Sequence, residues 1–306
     1  VTAVAVRRAL LAGASGPIGR ALAARLSRQG ISVARLVRRA STAPDEFPWD
    51  PARGQIDMRA FDGVDAVFNL SGRTLARWPW TESARKEILE SRVRATRLLV
   101  DSIISASSRP AVLVSGSAMG IYGDRGEEIL TETSSAGQGF LAAVAGAWER
   151  EAMRAADAGV RVACSRTGLV LSARGGALGP LLLIFRLGLG GRLGDGRQWW
   201  SWIHIDDVAG ALVAMAEDPA LHGPVNVVGP APARNADFVR ALAGVVRRPA
   251  LIPAPAFALK LVLGRMAAEL LLTSARIVPE QLQRIGFAFA WPELGAALRD
   301  VVAGRR

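Results

Sequence analysis

The sequence predicts an α/β protein: a Rossmann-type doubly wound parallel sheet with a smaller, mostly helical C-terminal domain. Three observations carry this. A short apolar run, Arg8 to Ala12, enters a glycine-rich turn and then a helical pattern. Strand-like and helix-like segments alternate up to about residue 165, as βαβ units require. After Gly229-Pro230 the pattern changes, with prolines at 230, 232, 249, 253 and 255 among helical stretches. The expected boundaries are therefore 1–228 for the sheet domain and 229–306 for the smaller one.

Each element has a local signal. Ile18, Leu22 and Leu26 recur at a spacing of four, and Gly30 closes that helix. Ile31 to Val37 reads as the second strand, and Ala66 to Leu70 as a buried strand. A long helix is expected over Ser83 to Ser105, with Ile88, Arg92, Ala95 and Leu99 on related faces. Ala111 to Ser115 is again a strand, Phe140 to Ala156 a helix, and Arg161 to Ser165 a strand. The Gly-rich, apolar segment from Ser172 to Trp202 reads as an insertion contributing to a substrate lobe. His204 to Met215 reads as a strand end and helix, and Val225 to Val228 as a last strand.

Composition narrows the function classes. Half of the 306 residues are hydrophobic and 21% are charged, a globular balance. Cys164 is the only cysteine and His204 and His222 the only histidines, so neither a disulfide nor a Cys/His metal site is expected. The N-terminal apolar run has no charged leader, which suggests no signal peptide and a cytoplasmic protein. Lys260, Arg265 and Glu269 interrupt the most apolar stretch, Ala250 to Leu272, so no membrane span is expected. The net charge of +11 comes almost wholly from arginine, spread along the chain. That favours a solvated basic surface over a nucleic-acid footprint. The expected partner is a small-molecule substrate, with neither nucleic acid nor membrane, and a homodimer is compatible.

The glycines at 13, 16 and 19 stand between the first strand and first helix, where such a triplet is informative. Gly13, Ser15, Gly16, Pro17, Ile18 and Gly19 would bring backbone N–H groups and the helix N-terminus to a pyrophosphate. Pro17 suits the first helical turn, where its missing N–H costs little. An NAD site usually places an acid at the end of the second strand; here stand Arg38 and Arg39. Arginine can pair with a 2′-phosphate, so the expected cofactor is NADP.

Beyond the loop, the chain resembles the extended short-chain dehydrogenase/reductase superfamily. More narrowly, it is similar to the atypical NAD-dependent epimerase/dehydratase-like "epimerase family protein" group. The matching pieces are GASGPIG at 13–19, WDP at 49–51, NLSG at 69–72 and SGSAMGIYGD at 115–124. RTGLVLSARGGAL at 166–178, FRLGLGG at 185–191, WSWIHIDDVAG at 200–210 and WPELGAAL from residue 291 extend them over nearly the whole chain. The resemblance implies that Asn69, Leu70, Ser71 and Gly72 lie beside the adenine and its ribose. It implies that Glu87 and Arg92 contribute to the cofactor site, though a solvated helix face is the other reading. It places Thr167, Gly168 and Leu169 at the nicotinamide end, and Ser115, where its strand ends, is expected among the cofactor-binding residues. Ser117 matches the superfamily's catalytic serine, or else caps a turn.

One part of the superfamily's chemistry is missing. Its Tyr-x-x-x-Lys pair has no counterpart: the expected helix reads Phe140-Leu141-Ala142-Ala143-Val144. Tyr122 is the only tyrosine, and Gly126 stands four residues on. A phenol with a pKa near 10 needs a nearby cation to work as a base at neutral pH. Tyr122 is thus either a proton carrier assisted by Arg125 or Arg92, or a structural tyrosine in a turn. His204 and Asp206 read as a strand end and a helix cap, with acid–base work for His204 as the alternative. Three functions follow: an NADP-dependent oxidoreductase or epimerase acting on a hydroxyl or carbonyl compound, a catalytically silent NADP binder, or a non-redox enzyme on the same fold. Leu181 to Phe185, Trp199, Trp200, Trp202, Phe257 and Leu261 are candidates to line an apolar substrate lobe, with the core of a helical subdomain as the other reading.

Overall fold

The computed structural model describes residues 5–76, 78–173, 175–176 and 178–304. Arg174 and Ala177, inside the RTGLVLSARGGAL stretch, lie outside the described residues. The first half runs β1 (Arg8–Ala12), α1 (Pro17–Arg28), β2 (Ser32–Val37), β3 (Glu46–Asp50), β4 (Gln55–Ile56), β5 (Ala66–Asn69), α2 (Glu82–Ser105) and β6 (Val112–Ala118). Then come β7 (Ile129–Leu130), α3 (Phe140–Met153), β8 (Arg161–Thr167), β9 (Leu169–Leu171), α4 (Leu178–Arg186), β10 (Trp199–Trp200) and β11 (Trp202–His204). The chain ends with α5 (Ile205–Glu217), β12 (Gly223–Val227), β13 (Ala233–Arg234), α6 (Asn235–Val246), α7 (Ala256–Leu263), β14 (Arg276–Ile277), α8 (Glu280–Arg284) and α9 (Leu294–Ala303).

The expected doubly wound sheet is present. Eight strands stand in the order β12-β8-β6-β5-β1-β2-β3-β4, parallel except for β4 at one edge. Alternate side chains along each strand face opposite helical layers. Leu11, Phe68, Val114 and Ala163 join Leu22 and Leu26 of α1 with Val208 and Leu212 of α5. Leu10, Val67, Leu113 and Val162 join Ala95, Leu99 and Ile103 of α2 with Ala152 of α3. Burial on both faces explains why these strands read as continuous apolar runs.

β3 and β4 have no counterpart among the elements expected from the sequence. Pro48 lies within β3 and lacks an N–H, so the run carries no ordinary strand signature. β3 pairs with β2 in parallel, and the buried Trp49 holds it against the core. α4 likewise stands in the segment expected only as an insertion, and α2 begins at Glu82, after Thr81, whose side chain accepts from the Ala84 amide.

The segment 172–202 packs against the C-terminal helices. Leu178, Leu182, Phe185, Trp200 and Trp202 share a closed core with Phe238 and Leu242 of α6 and Leu298 and Val301 of α9. Those aromatics therefore fill a core, whereas Phe257 and Leu261 stand exposed. The lobe is tied to the sheet domain by Asp207, whose carboxylate accepts from the Ala290 and Trp291 amides at 2.8 and 3.0 Å.

Candidate functional site

β1 is flanked by β2 on one side and β5 on the other, so the chain reverses its winding between β1 and β5. A crevice at the carboxyl ends of such strands is the natural ligand position in an open α/β sheet. The glycine loop forms its floor, and the three glycines have different reasons to be there. A Cβ at Gly13, which has φ +87°, would lie 2.6 Å from the Leu70 carbonyl oxygen. A Cβ at Gly19 would lie 2.2 Å from the Gly13 carbonyl oxygen. Both are demanded by the protein's own packing. Gly16 is not: its nearest obstacle within 4 Å is the Gly13 oxygen at 3.4 Å. The space before Gly16 is open, as a ligand approaching the backbone needs. Gly16 is also the N-cap of α1, with no side chain to satisfy the free amides, and Pro17 begins the helix. Ser15 is exposed beside it and Ile18 packs on the core. A Cβ at Gly175 would lie 3.0 Å from the Pro17 ring, so the 175–176 turn closes over the start of α1.

The two arginines after β2 are not equivalent. Arg39 forms a two-pronged pair with Glu46 at 2.9 and 2.6 Å, and that guanidinium holds the Glu46 carboxyl down at about 2. Arg38 is exposed and has no ion pair among the described residues. Both border an open hollow of about 490 Å³ with Trp49, Asp50 and Asp57. Of the pair, Arg38 is the one free to meet an added anion.

The 69–72 loop forms the opposite wall. Asn69 is buried; it donates to Thr96 Oγ1 at 2.8 Å and accepts from Ser71 Oγ at 2.5 Å. Its side chain shapes the loop and faces inward. Leu70 packs its carbonyl directly against Gly13. Gly72 lies under Arg92, whose guanidinium carbon would stand 3.2 Å from a Cβ there. Arg92 also stacks over Trp148 at 5.1 Å and donates to the Ile88 carbonyl at 3.0 Å. It has no ion pair among the described residues, and burial lowers its pKa to about 10. A desolvated guanidinium without a carboxylate is a strong anion acceptor. Glu87 is exposed and pairs with Arg73, fastening the loop to α2.

At the end of β6 stands a buried charged network. Ser117 Oγ donates to Glu149 Oε1 at 2.6 Å. Arg166 holds the same carboxylate with Nε and Nη2, both at 2.9 Å. Its Nη1 donates to the Tyr122 hydroxyl at 2.9 Å. Tyr122 is fully buried, and its oxygen also lies 2.7 Å from Asn226 Oδ1 and 3.0 Å from the Thr131 carbonyl. Burial pushes its pKa up despite Arg166. Of the two roles expected for Tyr122, this enclosed, fully hydrogen-bonded setting favours the structural one. Arg125, offered as its activator, pairs instead with Glu128. Ser115 is also fully buried, behind the site.

Thr167 Oγ1 shares a hydrogen bond with Ser165 Oγ at 2.8 Å. Gly168 is fixed by packing, because a Cβ would meet the Ser201 carbonyl at 2.4 Å, and Leu169 donates its amide to that same carbonyl at 2.8 Å. His204 is buried, caps α5 by accepting the Asp206 amide, and sits 3.3 Å from Asp300 of α9. The capping side chain is thus His204 and not Asp206, because α5 begins at Ile205. Among the described residues no group of His, Cys, Asp and Glu could hold a metal.

Sequence reasoning missed Glu149, Arg166 and Trp148. A Cβ at Gly116 would lie 2.6 Å from the Trp148 ring, so Gly116 in SGSA signals a large neighbour without naming it. Residues 32 and 17 positions apart meet at Glu149, which no local spacing reveals.

The NAD dependent epimerase/dehydratase family matches residues 9–229, and a domain of unknown function (DUF1731) matches residues 254–301. The epimerase family protein MT2273 of Mycobacterium tuberculosis is 40% identical over 288 residues, covering 94% of this chain and 95% of its own length. The human epimerase family protein SDR39U1 is 35% identical over 299 residues, covering 97% of this chain and all of that protein. The crystal structure of its isoform 2 with NADPH superposes with a TM-score of 0.88, at 34% identity over 97% of this chain and 99% of that one. A nucleoside-diphosphate sugar epimerase from Corynebacterium glutamicum superposes with a TM-score of 0.80, at 35% identity over 97% of this chain and 58% of that one.

Proposed function

The chain belongs to the NAD dependent epimerase/dehydratase family, and from that premise we propose that it binds NADP(H) and acts as an oxidoreductase or epimerase on a hydroxyl or carbonyl compound. The observation that carries the cofactor reading is the open space at Gly16 between two glycines closed by packing. There the N–H groups at the start of α1 would hold the pyrophosphate. Arg38 would take the 2′-phosphate, and Arg92 would supply a second cation to the cofactor. The human relative's structure with NADPH supports the choice of cofactor.

When bound, the nicotinamide supplies or accepts a hydride. The chain's own part is to hold the substrate oxygen and move its proton. Ser117 gives its hydrogen to Glu149, so its lone pairs are left to accept from a substrate hydroxyl. As the alcohol is oxidised, its proton would pass to Ser117 Oγ while the serine proton moves to Glu149 Oε1. In the reductive direction both protons return along the same path. Arg166 fixes the carboxylate for that exchange. The test is consumption of NADPH absorbance with carbonyl substrates, in the parent and in Ser117→Ala. Turnover in the parent, lowered in the variant at unchanged NADPH affinity, supports the assignment; equal turnover in both removes Ser117.

A second reading has its own support. The helix expected to carry the superfamily's Tyr-x-x-x-Lys pair reads Phe140 to Val144 with neither residue, and Tyr122 is enclosed. Tight NADPH binding without turnover on alcohols, ketones and sugar nucleotides would favour a silent binder or sensor.

A further inference from the structure

The segment 183–194 and the segment 247–265 run side by side in the C-terminal lobe. The Ala254 amide donates to the Arg192 carbonyl at 2.9 Å, and the Gly194 amide to the Ala254 carbonyl at 2.9 Å. Large apolar side chains protrude from both. Leu187 is 65% exposed, Leu251 82%, Phe257 75% and Leu261 84%. α7 has no buried residue, so its apolar content is not spent on the core. Folded proteins rarely leave such residues clustered in water without a partner.

Within the two segments the charges are of one sign. The two segments carry Arg186, Arg192, Arg247, Arg248, Lys260 and Arg265, and no aspartate or glutamate. All six are exposed, and none is in an ion pair among the described residues. Elsewhere the arginines are commonly matched: Arg39, Arg97, Arg154, Arg166 and Arg234 each hold a carboxylate. The pairing at Arg192, Gly194 and Ala254 thus makes neighbours of two distant stretches of sequence that carry these cations and the most exposed apolar residues.

We propose that this face docks on an anionic lipid bilayer, with Phe257, Leu261 and Leu251 entering the headgroup boundary and the six cations meeting lipid phosphates. Apolar insertion and basic attraction together are what a peripheral membrane contact uses. No helix among the described residues is long and apolar enough to cross a membrane, and a surface contact needs none. A second copy is a poorer occupant: a two-fold contact would set the same unpaired cations against themselves. Nucleic acid would leave the apolar side chains unburied.

The test is co-sedimentation of the full chain with vesicles of phosphatidylcholine alone and of equimolar phosphatidylcholine and phosphatidylglycerol. The parent should partition at least about tenfold more strongly onto the anionic vesicles and be released by salt. Lys260→Glu with Arg265→Glu should weaken partitioning by more than about fivefold per residue. Phe257→Glu with Leu261→Glu should weaken it at every salt concentration. These side chains are exposed, so both variants should keep the parent Tm, which confirms folding. Equal partitioning onto neutral vesicles, none onto either, or unchanged partitioning of the variants would overturn the proposal. So would a dimer by light scattering that Leu261→Glu splits. The outcome is independent of NADPH binding, measured on the same variants.

Discussion

Arg166 donates to the hydroxyl of Tyr122 at 2.9 Å while its guanidinium lies 5.1 Å over the same ring. One cation thus fills the oxygen and covers the face of the chain's only tyrosine. The other end of that guanidinium holds Glu149, which binds Ser117. The tyrosine is therefore part of what positions the carboxylate behind the serine.

Tyr122→Phe should lower stability by about 1–3 kcal/mol, because Asn226 and Arg166 lose a buried partner. NADPH affinity should stay near the parent value. Denaturant unfolding and calorimetry check the two halves. A loss of turnover larger than the loss of folded protein would return Tyr122 to the chemistry.

Gly16→Val should fold and fail to bind a dinucleotide, since the protein itself leaves that space open. Gly19→Ala should damage the loop itself, with a Cβ forced to 2.2 Å from a backbone oxygen. Melting curves with and without NADPH separate them: the first variant melts like the apo parent, the second melts earlier.

Arg38→Ala should weaken NADPH binding by about 10- to 100-fold and leave NADH binding unchanged, as the loss of one charge-assisted contact implies. Arg39→Ala should matter less, because Glu46 already holds Arg39. Equal effects of the two substitutions, by calorimetry, would show that the pair with Glu46 opens for the ligand.

His204 titrates below the ordinary 6.5, first because it is buried, against the pull of Asp206 and Asp300. The unfolded chain therefore binds the proton more readily than the folded one. Stability should be full above pH 6.5 and fall as the pH drops from there toward the folded-state value. His204→Asn should flatten that slope. A parent Tm that holds steady from neutral pH to pH 5 would contradict the assignment.

Cys164 should resist alkylation in the native protein and react on unfolding. It is buried, and burial pushes its thiol up to about 12. Mass spectrometry after iodoacetamide treatment, with and without denaturant, reads this directly.

The alternating strands and helices were legible in the sequence because local features encode them. Apolar runs marked strands that are buried on both faces, and glycine spacing marked the turn after β1. The same spacing located Gly13, Gly16 and Gly19, but only the fold separated the two held by packing from the one left open. Arg38 and Arg39 are neighbours of one type, and only the arrival of Glu46 in β3 made them unequal. That strand was hidden because Pro48 breaks its signature. Tyr122, Glu149 and Arg166 became one network through contacts between distant elements, which no periodicity records. Composition likewise fixed the number of cations, while the pairing of 183–194 with 247–265 set six of them on two neighbouring segments that carry no carboxylate of their own. Local propensity follows from neighbours in the chain; partnership, burial and free charge follow from neighbours in space.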